Sequence, residues 1–262
     1  MSGFIECMFT LPVNKFRRVM IGRIVKRLSK FEVVMTRAEW VERFRGLKNT
    51  KSYQEELEDA KQWDNYLEVR DYVGKQPIDR SLQWHEDKFS PPGTIAVTLG
   101  GQEFFYKSSS FSQEDLPWAV SEEEADKLSV KAFDNLVRDA KIIYEVIHPD
   151  HGFLYWTSCS MTITAEALKE QLYWVNFYGP TMAKRIGKQK LLSAPAYQVE
   201  GLKDGGILLR LMESWGDLNI LKRKIAVAKH LGFKRPIQKI LEHGKGSTEE
   251  RQKELKKMME ET

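Results

Sequence analysis

The stretch QLYWVNFYGPTMAKRIGKQKLLSAPAYQVEGLKDGGILLRL, Gln171 to Leu211, decides the fold. Tyr173, Val175 and Phe177 alternate like one face of a half-buried strand, and Trp174 and Tyr178 point the other way. Gly179-Pro180 stops that strand, and proline suits the first position of a helix because that N–H has no intrahelical partner. Met182, Ile186 and Leu191 then give a short apolar helical face broken near Gly187. Ala196 to Leu202 is extended, Asp204-Gly205-Gly206 supplies the positive-φ residues of a tight turn, and Ile207 to Leu211 returns. These residues serve folding, with no evident catalytic group among them.

Working outward, Phe4 to Val13 reads as a first strand, and Phe16, Met20, Ile24 and Leu28 follow as a helical stripe. Thr36 and Glu39 have capping-box spacing and predict a helix over Arg37 to Phe44, ending at Gly46. Lys51 to Val73 reads as helix, and Gln76 to Pro92, with prolines at 77, 91 and 92, as irregular. Thr94 to Leu99, Gly100-Gly101 and Glu103 to Lys107 carry a hairpin signal. Ser121 with Glu124 opens a helix to about Ile147, with an apolar face of Leu128, Ala132, Leu136, Ala140 and Ile143. HPDHG (148–152) is a turn, Phe153 to Thr157 a strand, and a helix begins near Ala165. Asp217 can cap a helix with the stripe Leu218, Leu221, Ile225 and Ala228, ending at Gly232; Ser247 to Thr262 is a solvated helix or a frayed tail. Hairpins between helices predict one α+β domain with a mostly antiparallel sheet covered by helices. It divides into a helix-rich region (1–90), a sheet-containing core (91–233) and a helical tail (234–262).

At 262 residues, 42% hydrophobic and 30% charged, the chain can bury a full core. No window approaches the roughly 18 uninterrupted apolar residues of a membrane span, and Glu6 and Pro12 split the N-terminal apolar run, so no secretory signal is read there. Cys7 and Cys159 fit a reducing compartment better than a disulfide framework. A cytoplasmic protein is expected. The net charge of +4 is uneven: Asn14 to Lys30 holds Lys15, Arg17, Arg18, Arg23, Lys26, Arg27 and Lys30 and no acid. Setting those seven aside leaves 34 of the 41 basic residues against 37 acidic ones, a net of −3. The body is mildly acidic, which disfavours broad nucleic-acid binding. The basic segment reads either as an ordinary surface helix or as a face for anionic membrane or phosphates.

His148, Asp150 and His151 form the most tempting chemical cluster, because two histidines three apart can share a metal; a site would need further ligands and a supporting shell. A proline-bearing turn is the plainer reading. Cys159, eight residues on, lacks a feature that would lower its thiol pKa and reads as structural. HGKGST (243–248) fails as a phosphate loop: Lys245 is followed by Gly246, and the upstream glycine is missing. No cofactor or metal is expected.

Residues about 148–233 resemble the immunity proteins that accompany bacterial polymorphic and type VI secreted toxins. The resemblance rests on HPDHGFLYW after a long helix, an aromatic strand and YGP, the helix MAKRIG, LLSAPAYQVEGL, and DGGILLRL before a helix near Asp217. Its implication is a non-enzymatic protein that binds a cognate toxin and blocks its active site, with Gly179, Pro180, Arg185, Gly187, Gly205 and Gly206 as scaffold. Some such proteins pair with restriction-endonuclease-like nuclease toxins. Carboxylates can mimic phosphates in a nuclease's basic cleft, so Glu55, Glu56, Glu58 and Asp59, with Asp115, Trp118, Glu122, Glu123, Glu124 and Asp126, are the candidate partner-binding residues. Neither nucleic acid nor membrane is an expected partner. An enzyme using His148, Asp150, His151 or Cys159, and an adaptor acting through Asn14–Lys30, are the alternatives.

Overall fold

Phe4–Pro12 forms strand β1, whose side chains sort by parity as a pleated backbone requires. Cys7, Phe9 and Leu11 enter one core, and Met8 packs against a separate cluster of Phe153, Tyr155 and Tyr173. A computed structural model describes residues 4–12, 14–17, 19–28, 32–36, 66–73, 76–86, 94–101, 122–157, 171–213, 217, 219–237, 253 and 256–260. Among them, β1 is joined by β2 (Glu32–Thr36), β3 (Tyr66–Val73), β4 (Gln76–Glu86), β5 (Thr94–Gly101), β6 (His151–Thr157), β7 (Val175–Tyr178), β8 (Gln198–Gly201) and β9 (Ile207–Arg210). They make one sheet in the order β2-β3-β4-β5-β1-β6-β7-β9-β8, antiparallel at every pairing. The helices α1 (Val19–Arg27), α2 (Glu122–Ile147), α3 (Pro180–Ile186), α4 (Lys188–Leu192) and α5 (Ile220–Leu231) complete the α+β architecture. Among the described residues, no helix is long and apolar enough to cross a membrane.

Two main cores lie against the sheet, the first reaching from β4 and β5 across β1 to β7 and β9. Ile21 and Ile24 of α1, Leu28 just beyond it, and Phe133, Leu136, Ala140, Ile143 and Tyr144 of α2 pack with Phe9, Val175, Phe177 and Leu208. Ala183 of α3, Leu191 of α4 and Val227, Ala228 and Leu231 of α5 pack with Tyr178, Ile207 and Leu209. Each fully buried Leu, Ile or Phe contributes roughly 1.5–3 kcal/mol. All four residues of β7 and of β9 are therefore buried. The expected half-buried strand is corrected: β7 begins at Val175, Val175 and Phe177 enter the first core and Tyr178 the second, while Tyr173 joins the cluster of Phe153 and Tyr155 and the partly buried Trp174 packs against the first core. The stripe of the basic segment enters the first core, so α1 is a surface helix docked by its apolar side.

Several expectations change. Tyr66–Val73, expected as helix, is strand β3, paired over its whole length with β4. Gln76–Glu86, expected as irregular, is strand β4: Pro77 sits near its start, where a missing N–H is tolerated, and Leu82 and Trp84, two apart, are buried. Gly100 and Gly101 make no turn; they lie in β5, opposite Glu6 and Ile5 on one side and Ser81 and Arg80 on the other. His151 and Gly152 belong to β6 and not to the preceding turn. Residues 1–90 supply β1 to β4, so that region is not helix-rich among its described residues. The helices expected over Arg37–Phe44 and from Ala165, the strand Glu103–Lys107, and Lys51 to Asn65 lie outside the described residues, as does most of Ser247–Thr262.

Local stereochemistry holds the C-terminal half to tight tolerances. Gly205, at φ 92°, makes the β8–β9 turn possible, and it alone of Asp204-Gly205-Gly206 has a positive φ. Gly179 and Gly206 are required by close approach: a Cβ at Gly179 would stand 2.3 Å from the Pro149 carbonyl oxygen, and one at Gly206 2.0 Å from the Tyr144 hydroxyl. Gly22, within α1, meets nothing within 4 Å. Urea unfolding should show Gly179→Ala destabilised by about 1–3 kcal/mol or more, since backbone must move. Gly22→Ala should instead gain about 0.5–1 kcal/mol. Equal effects at the two positions would contradict this account.

Candidate functional site

The turn after α2 places the histidines in unlike settings. His148 adopts φ 46° and donates its N–H to the Tyr144 carbonyl at 2.8 Å, ending the helix as a left-handed cap. Its ring is exposed, with Nδ1 3.4 Å from Asp204 Oδ2. Asp204 does more for the fold than for the histidine: it accepts from the Tyr144 hydroxyl at 2.9 Å and from the Gly206 N–H at 2.9 Å. His151 is shut inside β6, its ring 5.5 Å from that of Phe153 and 5.6 Å from that of Tyr178. Neither ring nitrogen has a hydrogen-bond partner in the described structure. Burial, helped by the Arg185 charge, lowers its pKa to about 4. That imidazole is neutral at ordinary pH and shut off from solvent. Among the described residues, no group of three or more His, Cys, Asp or Glu side chains gathers as a ligand set. Asp150 faces Lys15 at 3.9 Å, and Cys159 lies outside the described residues.

A different constellation is built at the end of β9. Arg210 is the charged residue of the apolar run ILLRL, and it is buried. Its guanidinium lies 4.8 Å from the Phe133 ring centroid, pairs with Asp134 at 2.8 Å, and donates to the carbonyls of Met212 at 2.8 Å and of Glu213. Arg223 of α5 pairs with Asp217 and donates to the Leu211 carbonyl at 3.1 Å. Asp217 in turn accepts the N–H groups of Glu213 and Asn219, both at 2.9 Å. It thereby folds the turn ahead of α5; Asn219, not Asp217, is the N-cap residue. Tyr197 stands over both cations, its ring centroid 5.1 Å from the Arg210 guanidinium carbon and 5.2 Å from that of Arg223. Its hydroxyl reaches Glu213 at 3.3 Å, yet the residue remains 42% exposed. The result is a rigid aromatic surface with cations beneath it and carboxylates around it. Such a group can anchor a partner at low entropic cost. The sequence held one signal for it, a charge in an otherwise apolar strand; nothing marked Tyr197 or Arg223.

A recess of about 320 Å³ lies between β6, the approach to β7 and α5, lined by Tyr155, Tyr173, Trp174, Leu211 and Lys224 among others. The Tyr173 hydroxyl is buried without a hydrogen-bond partner, and burial raises its pKa, keeping the phenol protonated. A protonated phenol and one ammonium in an aromatic wall suit holding an apolar group better than moving protons.

Of the predicted partner-binding residues, Glu122, Glu123, Glu124 and Asp126 fall in the first turns of α2. Glu55, Glu56, Glu58, Asp59, Asp115 and Trp118 lie outside the described residues. The structure therefore does not bring the two acidic groups together or hold them apart.

No family model matches the chain, and no curated protein does. A solved structure of a Pseudomonas aeruginosa T6SS protein is similar at 9% identity and a TM-score of 0.38, covering 88% of this chain and 76% of that one. That TM-score falls short of a shared fold.

The buried imidazole sets a pH dependence. Unfolded, His151 takes up a proton near pH 6.5; folded, it stays neutral down to about pH 4. Unfolding binds a proton in that window, so stability falls as the pH drops through it. Glu145 and Asp217 act at lower pH. A bond from Arg27 outweighs burial and lowers the Glu145 pKa; burial pushes Asp217 up, but the N–H groups of Glu213 and Asn219 and the Arg223 guanidinium bring it below its usual value. Chemical unfolding at pH 7 and pH 4.5 should show a loss of up to about 3 kcal/mol. His151→Phe should lose much less over the same interval. An unchanged slope in that variant would refute the assignment.

Proposed function

We propose that the protein is an immunity protein: it binds a cognate secreted toxin one-to-one, covers the toxin's active site, and performs no chemistry of its own. The observation that carries this reading is the Tyr197 surface, an exposed aromatic immobilised by Arg210 and Arg223. Aromatic and arginine side chains held rigid before binding are what interface anchors are made of. The resemblance over 148–233 supports the same reading. Its recurrent residues do steric work here: Gly179, Gly205 and Gly206 shape the scaffold, and Pro180 starts α3.

A nuclease is the toxin class that best suits the mildly acidic body. Carboxylates at the start of α2 (Glu122, Glu123, Glu124, Asp126) would enter a basic cleft in place of phosphates and speed the encounter.

Co-expression with the toxin encoded beside this gene should restore growth, and the two proteins should co-purify. Tyr197→Ala should weaken the complex by about 2 kcal/mol, roughly thirtyfold, with the melting temperature little changed. Reversing Glu122, Glu123 and Glu124 to Lys should slow association in a salt-dependent way. Failure of the wild-type chain either to protect or to bind would end the proposal.

A further inference from the structure

Among the described residues, helix α1 leaves one face without a partner. Ile21, Ile24 and Leu28 enter the core, and the residues on the far side are Val19, Gly22, Arg23 and Lys26. Spacings of three, four and seven put these four on a single solvent face. Val19 is 61% exposed, among the largest uncovered apolar side chains described. The helix VMIGRIVKR has three cations and no acid. Arg27 pairs with Glu145, but among the described residues Arg23 and Lys26 have no carboxylate partner.

Gly22 is the telling residue. Mid-helix glycine is unfavourable, because it gives up more backbone freedom than alanine and adds no contact. Among the described residues nothing requires it, since a Cβ there would meet nothing within 4 Å. A glycine beside an exposed valine and two cations with no carboxylate partner among the described residues makes a shallow notch with a positive rim. A notch helps only where a shaped surface comes close to the backbone, and the rim selects for negative charge.

We infer that the Val19–Gly22–Arg23–Lys26 face of α1 is a second docking surface, and that its occupant is an acidic, ridged surface of the toxin itself. This rests on the reading of the chain as a toxin-binding protein, and it divides the labour by charge. The acidic start of α2 would meet a basic part of the partner, while α1 meets an acidic part. Opposite signs at two places fix one orientation of docking, which a single patch could not do. The competing occupants of a cationic helix face are an anionic membrane and a nucleic acid. Both bind through charge and, for a membrane, buried apolar area, and neither requires a notch.

The test measures binding of the catalytically inactive product of the adjacent toxin gene to the full-length chain by surface plasmon resonance at two salt concentrations. Three variants are compared: Arg23→Glu with Lys26→Glu, Gly22→Leu, and Gly22→Ala. Circular dichroism checks folding, which the two Gly22 substitutions should if anything favour, since both residues are better helix formers. The charge reversal should lower affinity at least about tenfold, mostly through slower association that higher salt conceals. Gly22→Leu should lower it about tenfold through faster dissociation, with Gly22→Ala closer to wild type. If the wild type binds and all three variants bind equally well, the inference is wrong and the proposed function stands. If the wild type fails to bind, both fall. Vesicles of 30% phosphatidylserine and a 20-base-pair duplex form the remaining arms. Binding to either that the charge reversal abolishes, with toxin binding intact, would assign the face to that ligand and overturn the inference.

Discussion

The C-terminal half of this protein depends on where one side chain ends. Tyr144 leaves α2 fully buried, stacks on Phe177 with centroids 5.5 Å apart, and lies beside Phe9 at 6.4 Å. Its hydroxyl emerges beneath the β8–β9 turn and donates to Asp204, which in turn holds the Gly206 N–H. One residue thus ties the long helix to the centre of the sheet and to its last hairpin. Burial and the Asp204 carboxylate both raise its pKa, so the phenol remains a donor across the working range of pH. The turn can come this near only because residue 206 lacks a Cβ. Helix α2, β1, β7 and the terminal hairpin are consequently one mechanical unit.

That unit explains which parts of the architecture were legible in the sequence. YGP and DGG mark places where backbone stereochemistry leaves one option, and both landed where their chemistry requires. The α2 stripe was equally plain, since Leu136, Ala140 and Ile143 repeat at helical spacing over a long run. Where expectation and structure differ, the physical reasons are specific. In β3 and β4, charged residues alternate with apolar ones and prolines flank the run, so charge and proline content outweighed a period of two. In β5, Gly100-Gly101 looked like a turn because a glycine pair is cheap in turns; the register with β1 and β4 shows the pair inside a strand. Sheet partners distant in sequence, such as β1 between β5 and β6, leave no local trace at all.

The candidate site was less legible than the fold, and for a related reason. Histidines attract attention because their chemistry is versatile, yet here one caps a helix and the other fills a core. The Tyr197 surface draws on β9, α5 and the segments beside them, and its members are unremarkable one at a time. Only Arg210 broke a pattern. An exposed ring is braced by the cations beneath it only after folding, so no local pattern in the sequence announces it.

A binding protein and an enzyme differ in stoichiometry before they differ in anything else. The most direct measurement is therefore a titration of the proposed partner toxin's activity with this protein at concentrations well above the dissociation constant. The account predicts a linear fall to zero at one equivalent, reached as soon as the proteins mix and reversed when the toxin is released by denaturation and refolded. Progressive inactivation by a small fraction of an equivalent, or full activity at a large excess, would contradict it.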